Sequence, residues 1–147
     1  MSLMDKISED LKTAMRARDD VGKRTLRMLK SDLGKREIDL ERDLDEAEEL
    51  KVLASAVKSR KDSIAAYDDA GRADLADAER EEIAVLAKYL PKALDEDEAR
   101  AAIRALATEL GVTEKKQMGQ LMKEVMARYR GQIDGKLASR LAAEALS

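Results

Sequence analysis

Apolar residues recur at intervals of three and four along almost the whole chain, and a single proline, Pro91, interrupts the pattern. This spacing places apolar side chains along one face of an α-helix. Half-buried strands alternate with period two and are bounded by many turn residues, and one proline and seven glycines supply few of these. The sequence therefore predicts an all-α protein.

The predicted helices form two groups, one on each side of the proline. The first group ends in two long helices that meet at a turn near Gly71, which predicts a long antiparallel helical hairpin. We assign this group to an N-terminal helical domain, residues 1–92. Gly111 and Gly131 divide the remaining sequence into three short helices, which predicts a small C-terminal three-helix domain, residues 93–147.

A charged residue, Arg60, interrupts the apolar seam of the first hairpin helix. With the turn near Gly71, the hairpin register places Arg60 opposite Glu82, and Glu79 lies one helical turn away. A charge in such a seam is costly unless it is paired. We therefore predict a structural ion pair of Arg60 with Glu82 or Glu79 that fixes the hairpin register. Binding of an external anion by Arg60 is the alternative.

The sequence contains neither histidine nor cysteine. Any catalysis would therefore rest on carboxylates, lysine, tyrosine, serine or threonine. The acidic runs 43–49 and 95–98 lie at predicted helix starts, where acidic residues stabilise the helix in any case. No P-loop, G-x-G-x-x-G or G-x-S-x-G motif is present. We expect no catalytic residue, no metal and no cofactor.

Net charge varies along the chain, from +2 over residues 1–40 to −8 over 41–100 and +3 over 111–147. The last third combines lysines with glycines near two helix starts: Lys115, Lys116, Gly119, Lys123, Gly131, Gly135 and Lys136. Helix N-termini bind phosphate, and glycines let a phosphate backbone approach closely. The pattern favours a surface that contacts the sugar–phosphate backbone of RNA. In the alternative, Gly131 ends a helix, Asp134 caps the next one and the lysines are only solvated.

The sequence gives no sign of membrane insertion or secretion. No apolar run approaches the roughly 20 residues that span a bilayer. The segment 1–6 lacks the basic and apolar regions of a secretory signal. We therefore expect a cytoplasmic protein that does not enter the membrane.

Three stretches of the chain resemble the YqeY family, also described as the GatB/YqeY group. They are RTLRMLKS at 24–31; RKDS at 60–63 with Tyr67, AGR at 70–72, DL at 74–75 and YLP at 89–91; and MGQLMK at 118–123 followed by Gly131 and DGKL at 134–137. The stretches occur in the family's order and span nearly the whole chain. The resemblance implies an N-terminal helical domain with a long hairpin and a smaller helical C-terminal domain.

The C-terminal part is similar to the tail domain of GatB, a subunit of the tRNA-dependent amidotransferase. That enzyme converts glutamate or aspartate misacylated on tRNA into glutamine or asparagine. Its tail domain is associated with tRNA contact, while the chemistry lies elsewhere. The resemblance therefore implies a non-catalytic module that binds tRNA or another structured RNA.

Two alternatives stay open. One is an adaptor that docks a protein such as an amidotransferase or a synthetase, through the acidic hairpin or through the basic face of the second predicted helix. That face carries Lys23, Arg24, Arg27, Lys30 and Lys35. The other is a carbon–nitrogen ligase with glutamine as amide donor, or an accessory to one, because proteins of this group often carry that label. We attribute the label to domain sharing.

Overall fold

The computed structural model describes residues 2–146, which form seven α-helices and two 3-10 turns and contain no β-strand. The helices are α1 (Leu3–Arg16), α2 (Asp20–Leu40), α3 (Glu46–Asp69), α4 (Ala73–Leu86), α5 (Glu96–Leu110), α6 (Met118–Arg128) and α7 (Gly135–Ala145). The 3-10 turns are Ala87–Tyr89 and Lys115–Gln117. The all-α class predicted from the sequence is confirmed. The chain divides into two compact units, one up to Leu90 and one from Pro91, which are described separately.

Helices α1 and α2 of the N-terminal unit form a tight hairpin around Gly22. Asp19 is the N-cap of α2, and its Oδ1 accepts the Gly22 N–H at 3.0 Å. A Cβ atom at Gly22 would lie 2.3 Å from Asp19 Oδ2 and 3.4 Å from the Ala14 side chain. The capping carboxylate of Asp19 thus occupies the space of a Cβ atom at this position, whereas the contact with Ala14 of α1 is of ordinary length.

Helices α3 and α4 form the long hairpin that the sequence predicts. Asp45 and Glu48 form a capping box at the start of α3, so the first N–H groups of the helix are satisfied. At the turn, Gly71 has a φ of +71°, and the Arg72 N–H donates to the Tyr67 carbonyl at 2.8 Å. Glycine adopts this left-handed conformation without steric cost, which explains why the turn falls there.

The end of α4 differs from the sequence pattern. The apolar periodicity extends to Leu90, but the α-helix ends at Leu86 and a 3-10 turn continues to Tyr89. Pro91 disfavours α geometry in the residue before it, and Leu90 is extended with φ −96° and ψ 151°. The buried apolar core of this unit consists of Ile7, Leu26, Leu29, Leu33, Leu53, Ala56 and Leu86.

The C-terminal unit is a bundle of α5, α6 and α7 around an apolar core. Its buried members are Ala99, Ile103, Leu106, Ala107, Val112, Leu121, Val125, Ile133, Ala138, Leu141, Ala142 and Leu146. Gly111, with a φ of +69°, is the C-cap of α5. Helix α6 ends at Arg128, and Gly131, with a φ of +81°, lies in the turn that follows. Glycine at 131 therefore shapes the turn and is not itself the end of α6.

Candidate functional site

The lysine and glycine candidates all lie in the C-terminal unit, near the starts of two helices except for Lys123, which is in the middle of α6. Lys115 and Lys116 belong to the 3-10 turn that leads into α6. Gly119 is in the first turn of α6, and Lys123 follows one helical turn later on the same side. The remaining candidates, Gly131, Gly135 and Lys136, occupy the turn before α7 and the first two residues of that helix.

The candidate lysines differ in whether an acidic side chain neutralises them. Lys115, Lys123 and Lys136 are exposed, and none forms an ion pair within residues 2–146. Lys116 Nζ, by contrast, lies 3.1 Å from Glu114 Oε2. Three of the four lysines are therefore free to contact an external anion.

Most arginines of the same unit are already engaged. Arg128 Nη1 lies 2.8 Å from Glu109 Oε2, and its hydrogen bond lowers the pKa of that carboxyl group. Arg140 pairs with Glu96 and lowers its pKa in the same way. Because these guanidinium groups are matched by carboxylates of the unit, they add little to an anion-binding surface. The uncompensated charge of the region lies mainly on lysines.

The candidate glycines play two different structural roles. A Cβ atom at Gly119 or at Gly135 would meet no heavy atom within 4 Å, so the backbone at both positions borders open space. Internal packing does not require glycine there. Gly131 is different, because its positive φ of +81° is a conformation that other residues rarely adopt.

The N-terminus of α7 has no side-chain cap. Asp134 occupies the N-cap position, but its side chain accepts no cap hydrogen bond. Its carbonyl accepts the Ala138 N–H at 2.8 Å, so Asp134 joins the helix through a main-chain hydrogen bond and not through its side chain. At α5, Asp95 Oδ1 accepts the Glu98 N–H at 2.8 Å. Asp134 is therefore the N-cap residue of α7, as the alternative expects, but its side chain makes no cap hydrogen bond.

The second set of candidates, Arg60 and its glutamates, lies inside the N-terminal unit. Arg60 Nε is 3.6 Å from Glu82 Oε2, and the two side chains are only 9% and 10% exposed. The Arg60 Nη1 group donates to the Ala56 carbonyl at 3.0 Å. Arg24 Nε approaches the other oxygen of Glu82 at 3.3 Å from a more exposed position. Glu82 thus lies between two arginines, one buried and one near the surface.

Glu79 is beside this pair, at the edge of the cluster. Burial and the neighbouring Glu82 carboxylate raise the pKa of Glu79, because both disfavour its ionised form. The buried Thr25 hydroxyl donates to Glu82 Oε1 at 3.5 Å. The hairpin register gives no contact from α2, so Arg24 and Thr25 were not predicted as partners of Glu82. Thr25 was detectable, because it lies one turn before Leu29 on the apolar face of α2.

Within residues 2–146, no group of three or more acidic side chains is arranged to hold a metal ion. In the same part of the chain, no helix combines the length and apolar character that crossing a membrane requires. The candidate site in the C-terminal unit consists of charged side chains, glycines and helix starts.

Comparison with known proteins identifies the family. A model of the family described as Yqey-like protein matches residues 4–146. The chain belongs to the YqeY family. The family resemblance seen in the sequence motifs is thus confirmed.

Two fungal relatives of this YqeY-family chain share the name "Altered inheritance of mitochondria protein 41, mitochondrial". The one from Lachancea thermotolerans is 37% identical over 107 residues, which cover 71% of this chain and 57% of the relative. The one from Kluyveromyces lactis is 38% identical over 112 residues, which cover 74% of this chain and 60% of the relative. The chain thus spans somewhat more than half the length of these relatives.

The names of these relatives correct one expectation. Both relatives are named as mitochondrial proteins, so the expected cytoplasmic location is wrong. The expectation rested on the lack of a secretory pattern in the first residues. That pattern tests for secretion and does not distinguish the cytoplasm from an organelle.

Proposed function

We propose that this YqeY-family chain is a non-catalytic RNA-binding module, which contacts tRNA or another structured RNA through its C-terminal unit. One observation carries the proposal. Exposed lysines without an ion partner within residues 2–146 adjoin backbone that borders open space, at the starts of α6 and α7. Lysine charge beside accessible backbone N–H groups is the usual composition of a phosphate-contacting surface.

Each helix start would contribute in its own way. At α6, Lys123 neutralises a phosphate while Gly119, one turn earlier, lets the nucleic-acid backbone come close to the helix. At α7, Lys136 acts together with the N–H groups that the Asp134 side chain leaves uncapped. Lysine acts as a point charge with a flexible stem, so such contacts read the position of phosphates. Recognition would therefore depend on RNA shape and charge, with little dependence on base sequence.

Reversing two of these charges tests the proposal. We expect the K123E/K136E variant to lose detectable binding to fluorescently labelled tRNA, measured by fluorescence anisotropy. In the neutral K123Q/K136Q variant, two phosphate contacts are lost. The slope of log affinity against log salt should then fall by about 1.4–1.8, at 0.7–0.9 for each contact.

A matched control separates this site from net charge. Lys6 and Lys61 are exposed side chains of the N-terminal unit without an ion pair within residues 2–146. The K6E/K61E variant changes the net charge by the same amount, and we expect it to keep most of the affinity for tRNA. Equal affinity of K123E/K136E and the unmodified protein would overturn the proposal, and so would equal losses in both double variants.

A further inference from the structure

The outward arc of α2 is a predominantly basic surface of the N-terminal unit. It carries five basic side chains: Lys23, Arg24, Arg27, Lys30 and Lys35. At about 100° per residue, all five fall within an arc of about 140°. Asp32 and Glu37 fall outside that arc, and Asp20, the first residue of α2, falls within it. We call this surface the basic arc of α2.

Three of the five cations have no ion partner among the residues that the structure describes. Arg24 is engaged with Glu82, and Lys23 Nζ lies 3.8 Å from Asp20 at the start of the helix. Arg27, Lys30 and Lys35 form no ion pair within residues 2–146. The basic arc therefore presents uncompensated positive charge over about two helical turns.

Exposed apolar side chains lie among these charges. Ile38 is 76% exposed and lies within the basic arc, whereas Met28, 49% exposed, lies at its edge, where its Sδ accepts from Arg60 Nη2 at 3.8 Å. A sugar–phosphate backbone offers these side chains no apolar surface. The five cations and two aliphatic side chains include no aromatic ring on which a base could stack. The composition therefore fits a protein partner better than a nucleic acid.

The centre line of the basic arc has the spacing of a helix–helix seam. Arg27, Ser31, Gly34 and Ile38 follow one another at intervals of four, three and four, as in the apolar seam of paired helices. The middle positions, Ser31 and Gly34, are small and would let a second helix come close. Cations flank the line on both sides, in the positions that select acidic partners in paired helices.

Gly34 has no internal explanation. It lies inside a 21-residue helix, where glycine is less stable than alanine. A Cβ atom at this position would meet no heavy atom within 4 Å. Close packing within this chain does not require glycine, whereas close approach of an external helix does.

We infer that the basic arc of α2 is a docking surface for an acidic amphipathic helix of a partner protein. Glutamate or aspartate side chains of the partner pair with Arg27, Lys30 and Lys35. An apolar residue of the partner covers Ile38, and the two helices approach most closely at Ser31 and Gly34. This surface lies in the N-terminal unit and is independent of the lysines proposed to contact RNA.

The test uses a synthetic helical peptide of about three heptads, with leucine and alanine along its seam and glutamate on both flanks. A peptide of identical composition in scrambled order has the same charge without the seam. We expect the full chain to bind the ordered peptide at least about tenfold more tightly than the scrambled one, in fluorescence anisotropy. The R27E/K30E variant should lose this binding, and the K6E/K61E variant should keep it.

The Gly34→Gln variant tests the docking surface without destabilising the fold. Glutamine favours helix over glycine and its Cβ atom meets no neighbour, so we expect an unchanged or higher melting temperature in circular dichroism. Its side chain would hold the peptide away from α2, so affinity should fall by about tenfold or more. Equal binding of both peptides would overturn the inference, and so would unchanged affinity in Gly34→Gln. Binding of a single-stranded RNA that depends on Arg27 and Lys30 but not on Ile38 would instead assign the basic arc to nucleic acid.

Discussion

The N-terminal unit encloses charge, whereas the buried core of the C-terminal unit is entirely apolar over the residues that the structure describes. In the first unit, Arg60 and Glu82 pair inside the α3–α4 hairpin, and Thr25 reaches them from α2. In the second unit, the ion pairs lie at the surface, as between Arg128 and Glu109. The same residue types thus serve two different structural purposes.

The difference follows from the shapes of the elements. Two long helices with a repeating apolar seam could pack in several registers, and we expect the buried ion pair to disfavour all but one of them. Three short helices joined by turns at Gly111 and Gly131 have few registers to choose from. An apolar core is sufficient there. The charges of the C-terminal unit remain on its surface, where Lys115, Lys123 and Lys136 stay accessible.

The largest effect should come from breaking the buried pair. Glu82→Leu leaves the Arg60 guanidinium buried without its carboxylate, so we expect the free energy of unfolding of the N-terminal unit to fall by about 3–5 kcal/mol. Replacing both partners, in R60M/E82L, should recover most of this loss, because no unpaired charge is left buried. Amide hydrogen exchange, resolved by peptide and by mass spectrometry, measures the unit by itself. A double variant as unstable as Glu82→Leu would contradict this account of the cluster.

A smaller effect, with a defined pH dependence, should come from Glu79. Its pKa is raised above the ordinary value of 4.5, so the folded unit holds this proton more tightly than the unfolded chain does. The stabilising contribution is complete below pH 4.5 and is lost as the pH rises through the raised pKa. Glu79→Gln mimics the protonated form. We therefore expect it to stabilise the unit at pH 7 and to have little effect at pH 4.

Urea unfolding of both proteins at the two pH values measures this difference, and the other carboxylates cancel in the comparison. An effect of Glu79→Gln that is the same at pH 4 and pH 7 would show that the charge of Glu79 is not the cause. Glu81→Gln is the matched control, since Glu81 is exposed on the same helix.

The smallest effect should come from the surface pairs of the C-terminal unit. Arg100 Nε lies 2.7 Å from Glu144 Oε2, and its Nη1 lies 3.2 Å from Asp97 Oδ1. Water solvates these groups when they separate, so Arg100→Met should destabilise its unit far less than Glu82→Leu destabilises the other. Hydrogen exchange of α5 and α7 in low and in high salt measures the change. A loss as large as that of Glu82→Leu would remove the contrast between the two units.

Much of the fold was predictable, because local patterns determine it. Periodic apolar residues predicted the helices, and the turns at Gly71 and Gly111 follow from positive φ angles that favour glycine. The position of Arg60 opposite Glu82 followed from counting residues on either side of one turn. The end of α4 at Leu86 and the missing side-chain cap at Asp134 were not predictable in this way. Both depend on backbone angles over a few residues, and the same residue types are compatible with more than one set of angles.

The sequence by itself determined the helices, their turns and the identity of every charge. Only the tertiary structure decided which charged side chains form ion pairs within the chain and which do not. Arg24 and Thr25 contact Glu82 because α2 packs beside the hairpin. In the sequence, Arg24 is 58 positions from Glu82 and Thr25 is 57 positions from it. Arg128 likewise forms an ion pair with Glu109, whereas Lys123 forms none within residues 2–146. Pairing depends on distances of a few ångströms between side chains remote in sequence, and no local pattern fixes those distances.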